Sequence, residues 1–197
     1  VLVRLDAGDL RANERGVTAQ VFALFARRER LRAEQAGQVI VASPPEFNIL
    51  TPADRGLAKD ALRLERTQFK AREVGRSTET GVLRQRSRQL HQQIEGYELQ
   101  VEANLVQQRL VAEELEGLRS LAERGFAPQN RVRALERTVA GLEGEEGALR
   151  AQVARVREQI GEAELQITGV GARLREDAAD SLRQIEVQLN ELRPRMA

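Results

Sequence analysis

A regular spacing of apolar residues over residues 132–174 constrains the fold of this chain more than any other feature. Apolar side chains recur at alternating intervals of three and four residues over about six heptads, and only Glu146 interrupts them. Such a stripe is the a/d seam of an α-helical coiled coil, which needs another helix to cover it. The positions are Val132, Leu135, Val139, Leu142, Glu146, Leu149, Val153, Val156, Ile160, Ala163, Ile167, Val170 and Leu174.

A second stripe with the same spacing precedes the first. Folding the chain near residue 127 brings the two stripes opposite each other in phase. The pairing rule is that the numbers of two facing residues sum to 253 or 254, so that Ile94 meets Ile160. The sequence therefore predicts an all-α fold, a long antiparallel coiled-coil α-hairpin over residues 52–196 with its tip at 124–130. The positions of the second stripe are Leu90, Ile94, Tyr97, Val101, Asn104, Gln108, Val111, Leu115, Leu118 and Ala122.

The repeat slips once, just after Leu174. Two successive four-residue steps there form a stutter, which locally unwinds a left-handed supercoil. The polar segment 75–81 lies across the hairpin from the slip, so we expect the softest part of the hairpin near 75–81 and 169–178. Beyond the slip the same pairing rule predicts Leu192 with Ala61, Leu189 with Leu64, and Leu182 with Ala71.

Three polar residues occupy seam positions in the middle of the hairpin. Glu146 falls opposite Gln108, and Asn104 lies one layer further along, opposite Leu149. One interpretation is a chance polar pair. The other is a layer that sets the register of the two helices, a known use of buried polar residues in coiled coils. The sequence leaves both interpretations open.

Two smaller segments precede the hairpin. "VLVRLD" alternates apolar and polar residues and predicts a short strand within residues 1–8. Residues 9–36 predict a helix with one apolar stripe, which we expect to pack at the base of the hairpin on a face offered by Leu62 and Phe69. The stripe consists of Leu10, Val17, Val21, Leu24 and Leu31.

The connection to the hairpin is a predicted loop over residues 37–51, which contains two prolines. "LTPADRG" then predicts the start of the first long helix, with Thr51 as N-cap and Pro52 at the first helical position.

Composition excludes most other classes of function. The chain is 3% aromatic, has one His and no Cys, and carries a net charge of +1, so no field favours nucleic acid. We interpret the basic cluster "RRERLR" at 27–32 as a solvated helix face. We find no catalytic constellation, no metal site, no cofactor site and no apolar run of the ~20 residues that span a bilayer. The chain begins with Val, which suggests a piece of a longer protein.

The segment "LAERGFAPQNRV", residues 121–132, forms the predicted tip. Gly125 can take the left-handed conformation that ends one helix, and Pro128 suits the first turn of the next. Phe126 then has nowhere to bury in a two-helix turn and is available to a partner. The alternative is that Leu121 and Phe126 merely plug the end of the hairpin.

These segments together resemble the HlyD-type membrane fusion proteins, the periplasmic adaptors of type I protein secretion systems. The residues that carry the resemblance are "VLVRLD" with "AGDLRA", then "LTPADRG", and above all "LAERGFAPQNRVRALER" followed by "LEGEEGALRAQVARVREQIGEAELQI". The resemblance implies that residues 1–8 end the first half of a split lipoyl-like β-domain. It also implies a membrane anchor and further β-domains outside this chain.

The resemblance further implies a set of partners. The hairpin tip would contact a TolC-like outer-membrane channel, and the missing parts would contact an inner-membrane ABC transporter. Several copies, commonly six, would form a tube in the periplasm, with no membrane insertion by this segment. The implied partner-binding residues at the tip are Leu121, Arg124, Gly125, Phe126, Pro128 and Arg131.

The tip departs from the family signature of Arg, Leu and Ser. These fall at Gly117, Leu121 and Pro128, so only Leu121 matches, and the role of the Arg passes to Arg119, Arg124 or Arg131. Two other functions stay open, an adaptor of a tripartite drug-efflux pump and a cytosolic coiled-coil scaffold. The segment by itself could be a monomer, because a hairpin closes its own seam. An enzyme is disfavoured in every case.

Overall fold

A computed structural model describes residues 7–192, with side chains from residue 12 onward. No strand occurs within that range, and the strand predicted for residues 1–6 lies outside it, as does the end of the hairpin after residue 192. The predicted all-α class and the long antiparallel hairpin are confirmed. The helices are α1 (Ala7–Ala36), a short 3-10 helix (Pro45–Ile49), α2 (Arg55–Glu123) and α3 (Gln129–Leu192).

The chain forms two compact units, and both α2 and α3 run through both of them. We call residues 81–167 the tip unit. The base unit consists of the described residues 7–80 and 168–192. The division falls beside the polar segment 75–81 and just before the stutter, where the sequence predicts the softest part of the hairpin. That softness stays a prediction.

The core of the tip unit is the predicted seam. Ile94 and Ile160 are buried in one cluster with Val153 and Val156, and Tyr97 packs against them. Two ion pairs on the flanks of the seam join the same two helices. Arg157 Nη2 lies 3.0 Å from Glu98 Oε1, and Arg119 Nη2 lies 2.6 Å from Glu136 Oε1. The contacts join residues at the levels that the pairing rule predicts.

The core of the base unit is a three-helix cluster. Aromatic residues of α1, Phe22 and Phe25, pack with Ala58 of α2 and with a buried row on α3. Phe47 of the 3-10 helix meets Phe22 edge to face, with ring centroids 5.6 Å apart. The α3 row consists of Ala178, Leu182, Ile185 and Leu189. The seam here is therefore shared among three helices rather than closed by two.

The third helix changes the predicted pairs in the base unit. Leu64 is 67% exposed and Ala71 is also exposed, so the pairs with Leu189 and Leu182 are wrong. Both α3 leucines pack instead in the cluster that contains the α1 phenylalanines. Ala61 and Leu192 do share that cluster, as the pairing rule predicts.

Helix α1 is buried on more than one side. Its apolar residues Val21, Leu24 and Leu31 face the three-helix core, while Ala33 packs with Val41 of the loop and with Leu62 of α2. The single apolar stripe predicted for this helix is therefore too narrow. The reason is that the connection 37–54 covers a second side of α1, which periodicity along the helix does not reveal.

Part of the basic cluster at 27–32 lies in a buried ionic network, which corrects the prediction of a solvated face. Arg30 is 2% exposed, and its guanidinium contacts Glu34 at 2.6 Å and Glu65 at 2.5 Å. Arg72 of α2 reaches the other oxygen of Glu34 at 2.7 Å. Each buried charge thus has an opposite charge within hydrogen-bond distance, which burial requires.

A neighbouring arginine of the same cluster, Arg28, anchors the connection. Its Nη2 donates to both carboxylate oxygens of Glu46 at 2.9 Å, and its guanidinium lies 5.2 Å from the centroid of the Phe25 ring. Arg66 of α2 donates through Nε and Nη2 to the Val41 carbonyl oxygen at 3.2 and 3.1 Å. These contacts fix residues 41–46 against α1 and α2.

Helix α2 begins at Arg55, three residues later than the predicted start at Pro52. The Thr51 hydroxyl donates to Asp54 Oδ2 at 2.6 Å rather than accepting a backbone N–H, and residues 51–54 form a turn. The Thr51 carbonyl oxygen accepts the N–H groups of Asp54 and Arg55 at 3.1 and 3.2 Å, and the Asp54 carbonyl oxygen accepts the Ala58 N–H at 3.1 Å. Further along α2, the hydrogen bond from Arg76 lowers the pKa of the exposed Glu73 carboxyl.

Candidate functional site: the hairpin tip

The turn between α2 and α3 is closed by backbone geometry. Gly125 has φ of +81°, its N–H donates to the Ala122 carbonyl at 3.0 Å, and the Phe126 N–H donates to the Leu121 carbonyl at 2.9 Å. These two bonds form the Schellman motif that ends many helices. The predicted left-handed Gly125 is therefore present. Pro128 comes directly before α3, and its carbonyl accepts the Arg131 N–H at 3.1 Å.

The apolar side chains of the tip point outward. Phe126 is 79% exposed and Leu121 is 41% exposed, whereas Leu115 and Val132 below them are buried. The last buried seam residue is therefore Leu115 on α2 and the first is Val132 on α3, and Phe126 does not fill the end of the hairpin. A largely exposed phenylalanine beside an exposed leucine is a surface that an apolar partner could cover.

The arginines near the tip differ in their contacts. Arg119 pairs with Glu136 across the hairpin at 2.6 Å, and Arg124 folds back to donate to the Ser120 carbonyl at 3.1 Å. The side chain of Arg131 is exposed. Of the three candidates for the family arginine, Arg119 and Arg124 therefore already hold positions within the hairpin. The pairing of Arg119 with Glu136 is not predicted from the sequence above, although the register places both residues at one level.

The polar layer in the tip unit is a connected hydrogen-bond network. Gln108 Nε2 lies 2.9 Å from Glu146 Oε2 and 2.8 Å from Asn104 Oδ1, and it also approaches the Leu142 carbonyl at 3.2 Å. Asn104 is 6% exposed, and its Nδ2 donates to Glu145 Oε2 at 3.3 Å.

The layer contains residues of both helices, with Asn104 and Gln108 on α2 and Glu145 and Glu146 on α3. Glu146 also pairs with Arg150 on its own helix at 2.6 Å. The three predicted residues thus lie together, and Glu145 is a further member that sequence analysis missed, because it lies just off the seam. Moving one helix by a heptad would separate Gln108 from Glu146.

The described part of the chain contains neither of two other kinds of site, a metal centre and a membrane span. Between residues 7 and 192 no group of His, Asp and Glu side chains could hold a metal ion. Within the same residues, no helix contains an apolar stretch that is long enough to cross a bilayer.

The fold and the tip define a class of protein, a long two-helix coiled-coil hairpin with a third helix packed within its base unit. The family model described as "AprE, long alpha-helical hairpin" matches residues 10–197. This chain belongs to the AprE family of long α-helical hairpins. The resemblance to membrane fusion proteins that the sequence indicates is confirmed by this match and by the relatives below.

Two curated relatives are secretion proteins. The chain is 32% identical over 195 residues to the type I secretion system membrane fusion protein PrsE of Rhizobium meliloti (strain 1021), covering 99% of this chain and 44% of PrsE. It is 28% identical over 146 residues to the proteases secretion protein PrtE of Dickeya chrysanthemi, covering 74% of this chain and 32% of PrtE. The chain spans less than half the length of either relative.

A solved structure has the same fold. The soluble domain of LipC, a membrane fusion protein of a type I secretion system, matches with a TM-score of 0.86 and 19% identity. The match covers 100% of this chain and 91% of the LipC chain. At that identity the comparison supports the fold alone.

Proposed function

We propose that this chain is the helical hairpin of a periplasmic adaptor for type I secretion of proteins. In this proposal it links an inner-membrane ABC transporter to a TolC-like outer-membrane channel, and it has no enzymatic role. The proposal rests on membership of the AprE hairpin family and on two relatives that are secretion proteins, of which PrsE is a membrane fusion protein. A drug-efflux adaptor is less well supported, since both curated relatives are secretion proteins.

One observation carries the assignment of the tip as the channel-binding end. Phe126 is 79% exposed although the backbone on either side of it is fixed by hydrogen bonds to α2 and by the start of α3. An exposed aromatic ring on a rigid turn gives a partner a large apolar contact with little loss of conformational entropy. We assign the partner-binding surface to Leu121, Arg124, Gly125, Phe126, Pro128 and Arg131, with Phe126 and Leu121 as its apolar centre.

The polar layer serves as the register device of the hairpin in this proposal. Gln108 reaches Glu146, and Asn104 reaches Glu145, only when α2 and α3 are in the observed register. Correct register in turn decides which residues emerge at the tip. Buried polar residues that fix register are known from other coiled coils.

The test is secretion by cells that make the complete gene product containing this chain, together with its transporter and channel. We expect Leu121→Asp and Phe126→Asp to abolish secretion of the cargo, because each places a charge at the centre of an apolar contact. Circular dichroism of the purified proteins should show unchanged helix content, since both side chains are exposed.

Val82→Asp is the matched control. Val82 is 64% exposed and lies in the same unit far along α2 from the turn, so this change should leave secretion intact. Normal secretion by Phe126→Asp and Leu121→Asp, with both proteins folded, would show that the tip does not bind the channel. Loss of drug resistance without loss of protein secretion would favour the efflux alternative.

A further inference from the structure

The face of α2 that points away from the seam in the tip unit is apolar and uncovered. Leu99, Ala103, Val106 and Leu110 follow each other at intervals of four, three and four residues, as in a coiled-coil seam. Leu99 is 66% exposed, Val106 is 45% exposed and Leu110 is 61% exposed. The true seam of α2 is already closed by α3. This second stripe is therefore open to a partner outside the hairpin.

The corresponding face of α3 carries only small residues at the same level. The register fixed by Gln108 and Glu146 places Leu110 at the level of Gly144 and Val106 at the level of Ala148. These small residues are exposed and lie on the side of α3 that points away from α2. One hairpin cannot bring its two outer faces together. The small residues are Gly141, Gly144, Ala148 and Ala151.

Charges at the two ends of these stripes are complementary. At the level of Leu99, the α2 face is flanked by Glu102 and Glu95, whereas the α3 face carries Arg155. All three charged side chains are exposed. Opposite charges that meet across an interface fix its register and disfavour wrong partners.

The same complementarity recurs at the other end. At the level of Gly117, the α2 face is flanked by Glu113 and Glu116, and the α3 face carries Arg137. All of these side chains are exposed. An apolar stripe flanked by glutamates thus lies on one side of the hairpin, and a smooth stripe that carries Arg137 and Arg155 lies at the same level on the other side.

We propose that the outer α2 face of one copy packs against the outer α3 face of the next copy, with no offset along the hairpin. The inference rests on the proposed adaptor function and names the faces through which its copies meet. Leu99, Val106 and Leu110 enter the space left by the glycines and alanines. Because two different faces meet, the contact is head-to-tail and can repeat from one copy to the next, and it forms a ring where the rotation between copies closes.

Disulfide cross-linking tests the pairing in the complete gene product, made in cells that secrete. This chain has no cysteine, so each introduced thiol is unique within it. Val106→Cys and Ala148→Cys are placed in separately tagged copies that are made together. We expect a mixed dimer after mild oxidation, because a disulfide forms only where Cα atoms come within about 7 Å. Gln107→Cys with Ala148→Cys is the control and should give none.

The charges supply a second arm of the test. Glu102→Arg should lower the yield of the mixed dimer several-fold, and adding Arg155→Glu should restore it. A mere effect on folding would not be restored by the second change. The cross-link and its rescue together would identify both faces and their register.

Other outcomes would overturn the pairing. A dimer of Val106→Cys alone would mean that two α2 faces meet symmetrically, and a cross-link only to a different protein would give the stripe another partner. Normal secretion with no cross-link contradicts the pairing but leaves the adaptor proposal standing. A mixed dimer in a protein whose unmodified form secretes nothing supports the pairing and contradicts the adaptor role.

Discussion

Gly125 is the residue on which the tip depends most directly. Its φ of +81° lies where a side chain is strained, and the two backbone bonds that end α2 require that conformation. The sequence predicts this residue well because the signal is local: a glycine at the end of an apolar repeat, followed by Phe126 and Pro128. The polar layer is predictable for a related reason, because its residues occupy seam positions and the spacing of the repeat identifies those positions.

Gly125→Ala should destabilise the chain. A left-handed conformation costs a residue with a Cβ about 1–2 kcal/mol, so we expect the free energy of unfolding to fall by about 1 kcal/mol. Denaturant unfolding followed by circular dichroism measures it. Gly117→Ala is the control, because Gly117 lies within α2 and has open space where the alanine methyl group would stand. This change should raise the free energy of unfolding by about 1 kcal/mol, since alanine favours the helix over glycine. Equal effects of the two changes would contradict the role of Gly125.

At the scale of elements, α1 shows what periodicity cannot reveal. Its existence follows from the sequence, but its environment depends on residues far away in the chain, such as Glu65 on α2 and Glu46 in the connection. The basic cluster therefore looks solvated although Arg28 and Arg30 are buried. For the same reason the pairing rule wrongly joins Leu189 to Leu64. The rule assumes two helices, and the base unit contains three.

Arg30→Ala should destabilise the base unit strongly. The change removes a partner of Glu34 and of Glu65, both buried, and leaves the Glu65 carboxylate without the guanidinium it contacts at 2.5 Å. Breaking a buried pair in this way costs about 3–5 kcal/mol. Thermal unfolding followed by circular dichroism is the measurement.

Arg63→Ala is the comparison for that experiment. Arg63 pairs with Asp60 on the surface of α2, where both side chains are mostly exposed, and such pairs contribute about 0–1 kcal/mol. If the two alanine variants unfolded at the same temperature, the ionic network around Arg30 would not hold α1 in place.

At the scale of the whole molecule, the sequence predicts the hairpin because one repeat continues on both sides of a single turn. The register follows from it and is supported by Gln108 with Glu146 and by Arg157 with Glu98. Function is less accessible. The described tip contains no reactive group that identifies its function. The function proposed for it rests on the exposed Phe126, on the family match and on relatives more than twice as long as this chain.

The most direct measurement places a photo-reactive amino acid at position 126 of the complete gene product in cells that are secreting cargo. Irradiation should join the protein to the outer-membrane channel, because Phe126 lies at the centre of the proposed contact. The same amino acid at position 82 should give no such product. If secretion continues and position 126 never joins the channel, the tip is not the channel-binding end.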